Sequence, residues 1–491
     1  MPVRWGEITV GEILSPIKGD LIFGRSDLVV SGICSDSRTI GKGQLFLPLK
    51  GERYDGHDFV EQAIENGATA TIVQGGRHYQ IPPKSDVAVI RVGDTLKALG
   101  DLACWWRHEH SVRVAAITGS VGKTTTKDMT ASILQMNSPT LKNEGNLNNL
   151  IGLPLTLLSL EECHRSAVLE MGMNRPGEIR RLTEIADPDV GLITRVGIAH
   201  LEGVGDIRGV AKAKTEMLKT ISPNSHVVLN GDDKLLMEEA SIFSRKKITY
   251  GLGPENQIRA EGIQNRGKQG LSFKMKFSQY SLSIRLRVPG LQNVYNAMAA
   301  SAIAICLNEP YDHLVEGLYC FQGVKGRFNP VSLANGITLI DDTYNSNPTS
   351  LKAAIDSMKK WPLEGGQIIV CLGEMMELGD ETIPAHREAG RMVADLNPRR
   401  FIGFGNHAQE MIEGAIGNGL SPEKAILAKT HEEIIEKIEE CMKQGDLVLL
   451  KGSRKMHLEK IVERLTKKGN PEEKISRRNE KGKKEFPCFT N

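Results

Sequence analysis

The segment Thr118-Gly119-Ser120-Val121-Gly122-Lys123-Thr124-Thr125-Thr126 sets two glycines, a lysine and a run of hydroxyls between an apolar strand pattern, Val112–Thr118, and a helical one, Lys123–Met136. Small residues let a backbone wrap an anion closely, and N–H groups at a helix start point at phosphate oxygens. Lys123 can reach the β- and γ-phosphates of a triphosphate, and the Thr124 hydroxyl can ligate Mg²⁺. Gly119, Ser120, Val121, Gly122, Lys123, Thr124 and Thr125 are therefore the candidate ATP-binding loop. The general pattern G-x-x-x-x-G-K-[ST] asks for glycine where Ile117 stands, so its strict form is not met. The plain alternative is a glycine-rich turn that binds nothing. The coincidence of strand, glycines, Lys-Thr and helix favours the phosphate reading.

A phosphate loop alone does not separate a kinase, a GTPase and a ligase. There is no N-K-x-D for guanine and no D-x-x-G close after the loop. Glu170 ends an apolar strand pattern, Ala167–Met171, where a carboxylate can bind Mg²⁺ directly; the alternative is a solvated strand-end carboxylate. His200 follows the pattern Val190–Thr194 at the same edge of the expected sheet, as a ligand or as a structural histidine. Lys212 and Lys214 sit on the next helix, where lysines are ordinarily solvated.

These residues need a scaffold. The chain has 491 residues, enough for roughly three domains. Residues 1–110 read as a small mixed unit with strands at Gln44–Leu49, Ala70–Val73 and Val87–Val92 and a helix at Thr95–His110. Residues 111–325 alternate strand and helix around the loop, with a further strand at His226–Leu229, which predicts a mostly parallel α/β sheet. Residues 326–466 alternate again: Thr338–Asp341, a helix from Ser350, Ile368–Leu372, Phe401–Phe404 and Leu447–Leu450. Residues 467–491 form a charged tail with eight Lys/Arg against four Glu between Lys467 and Glu485, and read as disordered. Formal net charge is only +2, so the chain lacks the basic field of a nucleic-acid binder. The eight cysteines are widely spaced without a C-x-x-C pair, which argues for a reducing compartment. No signal-peptide core opens the chain and no apolar run approaches the ~18–20 residues of a membrane span. A cytoplasmic setting is expected.

Taken together, Thr118–Thr126, Asn143–Asn149 (NEGNLNN), Leu169–Pro176 (LEMGMNRP), His200–Gly203 (HLEG), Asn293–Ala300 (NVYNAMAA) and Asp341–Pro348 (DDTYNSNP) resemble the Mur ligases, which build the peptide of bacterial peptidoglycan. The Gly119-x-x-Gly122-Lys123 spacing is the form this family uses. MGMNRPGEI, HLEGVGD, DDTYNSNP, LGEMMELGD and KGSR resemble the branch that joins D-alanyl-D-alanine to UDP-N-acetylmuramoyl-tripeptide (UDP-MurNAc-tripeptide). The resemblance covers roughly Leu14 to Leu465. It implies three α/β domains: a small N-terminal domain for the UDP end of the substrate, a central P-loop parallel-sheet ATPase domain, and a Rossmann-like C-terminal domain for the incoming amine. It implies ATP and Mg²⁺ as cofactors, and a monomer with no nucleic-acid partner.

By the same resemblance the catalytic set is Lys123, Glu170, His200 and Lys214. Thr124, Glu170, His200 and Lys214 would face metal, with Lys214 carbamylated and Lys212 its near neighbour. Asn293, Asn296, Arg327, Asp342, Tyr344 and Asn345 would contact the nucleotide. Ser35, Asp36, Ser37 and Arg38, with the segment Phe46–Asp58, would bind the UDP substrate; Asn347 and Ser453 would lie on the amine side, with Glu374 and His386 as further C-terminal candidates. The family commonly has His where Gln292 stands, so Gln292 is left out. Asn345-Ser346-Asn347-Pro348 can equally be a turn with Asn as N-cap. The nearest alternative is a sibling ligase adding a single amino acid; the D-N-P-R motif of the sibling that adds a dibasic residue is absent. A P-loop regulator without ligase activity leaves the Glu170, His200 and Lys214 set without a purpose.

Overall fold

The computed structural model describes residues 3–51, 53–76, 79, 86–198, 201–363 and 365–469; His200 and the tail beyond residue 469 lie outside these. The chain forms two compact units. One comprises 1–262 with 273–284 and 294–321; the other comprises 263–272, 285–293 and 322 onward. Three sheets carry the strands.

The first sheet runs in the order Val3–Thr9, Val29–Cys34, Leu45–Phe46, Ala70–Gln74, Ala88–Val92, Asp20–Phe23. Its inner pairings are parallel and its two edges antiparallel. The strand expected over Gln44–Leu49 shrinks to Leu45–Phe46. Gln44 turns its side chain back to accept from the Gly41 N–H at 2.7 Å, and Pro48 leads into a turn closed by a Lys50–Asp55 bridge.

The central sheet is parallel from Thr140–Lys142 through Ser166–Glu170, Arg113–Thr118, Val190–Ile193, His226–Asn230 and Lys247–Gly251 to Ile258–Asn265, and ends in the strands Leu271–Phe277 and Tyr280–Leu286. Val190–Ile193 and Ser166–Glu170 are buried along their whole length, as strands covered on both faces must be.

These two sheets share one hydrophobic core, and the helix Thr95–His108 is its hinge piece. Asp94 caps that helix through the Lys97 N–H at 2.7 Å. Its Trp106 ring lies 5.3 Å from Trp5. The two indoles donate to the carbonyls of Leu160 and Leu158, at 3.3 and 3.2 Å. Trp106→Ala would empty a site that both sheets line. It is expected to destabilise the first unit by about 3–5 kcal/mol, read as a lowered urea midpoint. An unmoved midpoint would mean that the two sheets do not depend on this core.

The C-terminal sheet has the order Asn329–Ser332, Thr338–Asp342, Leu447–Lys451, Ile368–Gly373, Arg400–Phe404, Ala425–Ala428, parallel except at its first strand. The helix expected from Ser350 begins at Pro348. Asn347 accepts from the Ser350 N–H at 2.8 Å while Ser350 Oγ accepts from the Asn347 N–H, a reciprocal cap. No helix among the described residues is long and apolar enough to cross a membrane.

Candidate active site

The phosphate loop leaves the strand Arg113–Thr118 and enters the helix Lys123–Leu134. Gly119 and Gly122 have φ of +148° and +86°. A Cβ on Gly119 would lie 1.9 Å from Thr194 Oγ1, and one on Gly122 2.6 Å from Asn296 Oδ1, so both positions require glycine. Thr194 Oγ1 donates to the Val121 carbonyl at 2.6 Å. Ser120 exchanges hydrogen bonds with Gly197, its Oγ donating to the carbonyl and accepting from the N–H, both at 3.0 Å. Lys123 Nζ donates to the Gly119 carbonyl at 2.7 Å, curled over its own loop. Thr125 is buried below, and Thr126 Oγ1 donates to Asn296 Oδ1 at 3.3 Å.

Glu170 ends the neighbouring strand and is 3% exposed. Thr124 Oγ1 donates to its Oε2 and Asn148 Nδ2 to its Oε1, each at 2.8 Å. Asn143 clamps its backbone, accepting from the Glu170 N–H and donating to its carbonyl, both at 2.9 Å. The carboxylate is thus held rigidly against the Thr124 hydroxyl. Two hard oxygen donors at a phosphate loop are the kind Mg²⁺ takes. Asn143 and Asn148 carry no independent sequence signal of this role; only their place in NEGNLNN marks them.

Lys214, on the helix Ile207–Thr220, is 2% exposed, with no hydrogen bond or ion pair to its amine found among the described residues. Burial pushes its pKa well below the ordinary lysine value, and the Lys123 charge pushes the same way. Lys212 resembles it only in sequence, for it is exposed on the same helix. His200 lies outside the described residues, but the segment leading toward it is pinned. Val196 N–H donates to Asp233 Oδ2 at 2.7 Å, and Tyr250 OH to the Thr194 carbonyl at 3.0 Å. Sequence reasoning missed both of these supports.

In the first sheet, Ser35, Asp36, Ser37 and Arg38 follow the strand Val29–Cys34. Arg38 forks onto Asp36, Nε to Oδ1 at 2.9 Å and Nη2 to Oδ2 at 2.7 Å. That guanidinium holds the Asp36 carboxyl down to about 2. Ser37 is buried and donates to Gln62 Oε1 at 2.9 Å, while Ser35 is exposed.

The second unit collects the remaining candidates. Asp342 ends the strand Thr338–Asp342; it pairs with Lys451 Nζ at 2.8 Å and accepts from the Phe328 N–H at 3.1 Å. Lys451, 1% exposed in its side chain, also donates to the Asn345 carbonyl at 3.0 Å. The Arg327 guanidinium lies 3.9 Å over the Tyr344 ring, and that of Arg454 5.5 Å from it. Asn345 is exposed at the turn, and Asn347 is committed to its cap. Asn293 donates to the Pro289 carbonyl at 2.6 Å. Ser453 is buried with no partner for its hydroxyl found among the described residues, and Glu374 and His386 are also buried.

Comparison with known proteins gives the family. Three family models match: the Mur ligase middle domain over residues 117–304, the Mur ligase glutamate ligase domain over 326–454, and the Mur ligase family catalytic domain over 29–107. The UDP-N-acetylmuramoyl-tripeptide–D-alanyl-D-alanine ligase of Bacillus subtilis is 36% identical over 459 residues, 93% of this chain and 98% of that one. A crystal structure of MurF from Acinetobacter baumannii superposes with a TM-score of 0.84 at 33% identity, covering 95% of this chain and 100% of that one. MurF from Thermotoga maritima in complex with ADP gives 0.79 at 28% identity, covering 89% and 97%.

Proposed function

The chain belongs to the Mur ligase family, and on that premise we propose that it joins D-alanyl-D-alanine to UDP-MurNAc-tripeptide at the expense of ATP, releasing ADP and phosphate. The observation that carries the reading is the Thr124–Glu170 pair at the mouth of a lysine-tipped phosphate loop, with a buried lysine amine behind it.

A carboxylate is a poor acyl donor because oxide would have to leave. Transfer of the γ-phosphoryl group to the tripeptide carboxylate gives an acyl phosphate. The free amine then attacks the carbonyl carbon, and the tetrahedral adduct collapses to the amide as inorganic phosphate departs. The protein's task is to hold two anions side by side. The loop N–H groups and Lys123 take the triphosphate, Lys123 leaving the Gly119 carbonyl to do so. Thr124 and Glu170 would hold Mg²⁺, with His200 and a carbamylated Lys214 beside it. When bound, the cation offsets charge on the phosphate and carboxylate oxygens. Burial favours the neutral lysine amine, whose lone pair can bond to the carbon of CO₂; loss of one N–H proton to solvent leaves a carbamate, an anion where an ordinary lysine would carry a positive charge.

Residues 1–110 are proposed to receive the UDP end through Ser35, Asp36, Ser37 and Arg38, residues 111–325 the ATP, and residues 326–466 the amine. Asn293, Asn296, Arg327, Asp342, Tyr344 and Asn345 are the proposed nucleotide contacts, and Asn347 and Ser453 lie on the amine side. The seven cysteines among the described residues are all free thiols, which suits the cytoplasm.

The test is a product assay with UDP-MurNAc-tripeptide, ending in lysine or in diaminopimelate, ATP and D-Ala-D-Ala. ADP release should require all three substrates, and the product should gain a dipeptide in mass. Equal turnover with single amino acids would move the chain to a sibling activity.

A further inference from the structure

We infer that Glu374, His407 and Ser453 form the seat for the ammonium group of the incoming amine. The inference rests on the ligase reading above and carries it to particular atoms. In an open parallel sheet, ligands bind outside the C-terminal ends of the strands. Ile368–Gly373 lies between Leu447–Lys451 and Arg400–Phe404, so the residues just past these three ends come together. Glu374 follows the middle strand, Ser453 one flank and His407 the other. The Ser453 N–H donates to the Glu374 carbonyl at 3.0 Å. His407 Nε2 stands 3.5 Å from Glu374 Oε1, and its Nδ1 3.5 Å from Glu410 Oε1. At Gly405, φ +109°, a Cβ would lie 3.0 Å from Glu374 Cβ and 3.3 Å from Oε2. Glycine there leaves the carboxylate its room.

Buried carboxylates are ordinarily saturated with donors. Two others in this sheet obey the rule. Asp446 accepts from the N–H groups of Gln367 and Lys443 at 2.7 Å and from Arg399 at 3.1 Å. Asp341 accepts from Thr343 Oγ1 at 2.6 Å, the Thr343 N–H at 3.3 Å and the Gly326 N–H at 3.0 Å. Glu374 differs from both: its residue is 5% exposed, yet no protein donor to its carboxylate is found among the described residues, only the His407 approach at 3.5 Å, and the oxygens are left to solvent or to a ligand. Beside it the Ser453 hydroxyl, 2% exposed, has no partner either. A carboxylate without a protein donor and a buried hydroxyl without one belong to two residues joined through their backbones at the ligand-binding edge.

The missing group is small, cationic and rich in N–H. An ammonium supplies three donors and forms charge-assisted bonds to a carboxylate. A metal ion suits the place less well. Among the described residues, only Glu161, Cys163 and His164 bring three ligand atoms close enough for one, and they lie elsewhere. His386 holds the seat in shape without competing for it. Its Nδ1–H donates to the Thr382 carbonyl at 2.6 Å and its Nε2 accepts from the Met375 N–H at 3.0 Å, so the ring is neutral and fixes the residue after Glu374.

The test compares D-Ala-D-Ala with N-propanoyl-D-alanine, the same molecule with hydrogen in place of the ammonium. Ligation of D-Ala-D-Ala by the unaltered enzyme is the first arm; its failure refutes the ligase reading itself. Given turnover, Glu374→Gln should raise the KM for the dipeptide about ten- to a hundredfold. The KM values for ATP and the UDP substrate should hold, and inhibition by N-propanoyl-D-alanine should change less than about twofold, because that ligand never used the carboxylate. An unchanged dipeptide KM, or inhibition weakening in parallel with it, overturns the seat. If Glu374→Gln fails to fold, the half-exposed His407→Gln decides by the same criterion: a rise confined to the dipeptide supports the seat, and any other pattern overturns it.

Discussion

Lys123→Ala is expected to lower ligation about a thousandfold or more while the protein stays folded. The lysine is half-exposed at the first turn of its helix, and its amine donates to the Gly119 carbonyl, a bond the loop can replace with water. Little stability rides on it, and the thermal midpoint should move by less than about 3 °C. The catalytic loss is of another order. Preorganised cations aimed at a transferring phosphoryl group contribute roughly 10³–10⁵ to rate, because they need no reorganisation when charge shifts. Lys123→Arg should recover little, since a broad planar guanidinium replaces a compact point charge in a cradle so close that a Cβ on either glycine would clash with Thr194 or Asn296. Single-turnover acyl phosphate formation, trapped with hydroxylamine, separates this step from the later amine attack. Undiminished turnover in Lys123→Ala would remove the loop from catalysis.

Lys214→Ala is expected to cost about a hundredfold or more, and short carboxylates such as formate or acetate should restore part of the activity. If Lys214 carries the proposed carbamate, its removal takes away a fixed anion, and a diffusible one can take its place in the cavity that alanine leaves. Failure of every short carboxylate would count against a metal-facing anion at this position. A second readout does not depend on turnover. In protein freed of CO₂, burial holds the folded Lys214 amine's pKa well below its unfolded value, so between the two the unfolded state binds more protons. Stability should therefore rise with pH from the depressed folded pKa up to the ordinary lysine value of 10.5. Lys214→Met should flatten that rise and raise the melting temperature at neutral pH. A melting curve indifferent to the substitution across that range would mean that the amine is not held neutral.

Much of this site could be read directly from the chain. The strand–glycine–lysine–helix order named the loop, because local geometry and local sequence coincide there. Glu170 could be read as a strand-end carboxylate for the same reason. What could not be read was the support. Asn143 and Asn148 reach Glu170 from a separate segment, Asp233 and Tyr250 hold the backbone on the way to His200, and Thr194 fills the space beside Gly119. Each joins residues far apart in sequence through the order of strands in the sheet, which neither periodicity nor spacing encodes. His407 was missed for that reason: it meets Glu374 only because their strands are neighbours. The short strand at Leu45–Phe46 shows the converse, a run apolar enough for a strand but ended early by Pro48 and a closing turn.

The indole of Trp5 waits for a partner 153 positions down the chain. On a ribosome adding about 5–20 residues per second, that carbonyl emerges roughly 8–30 s after the tryptophan does. For that interval the apolar face presented by Trp5 and, once made, by the helix Thr95–His108 lies open, lacking Leu153, Leu157, Leu158 and Leu160. A fragment ending near residue 110 would keep that face permanently and is expected to be insoluble when expressed alone, although its sheet is complete on paper.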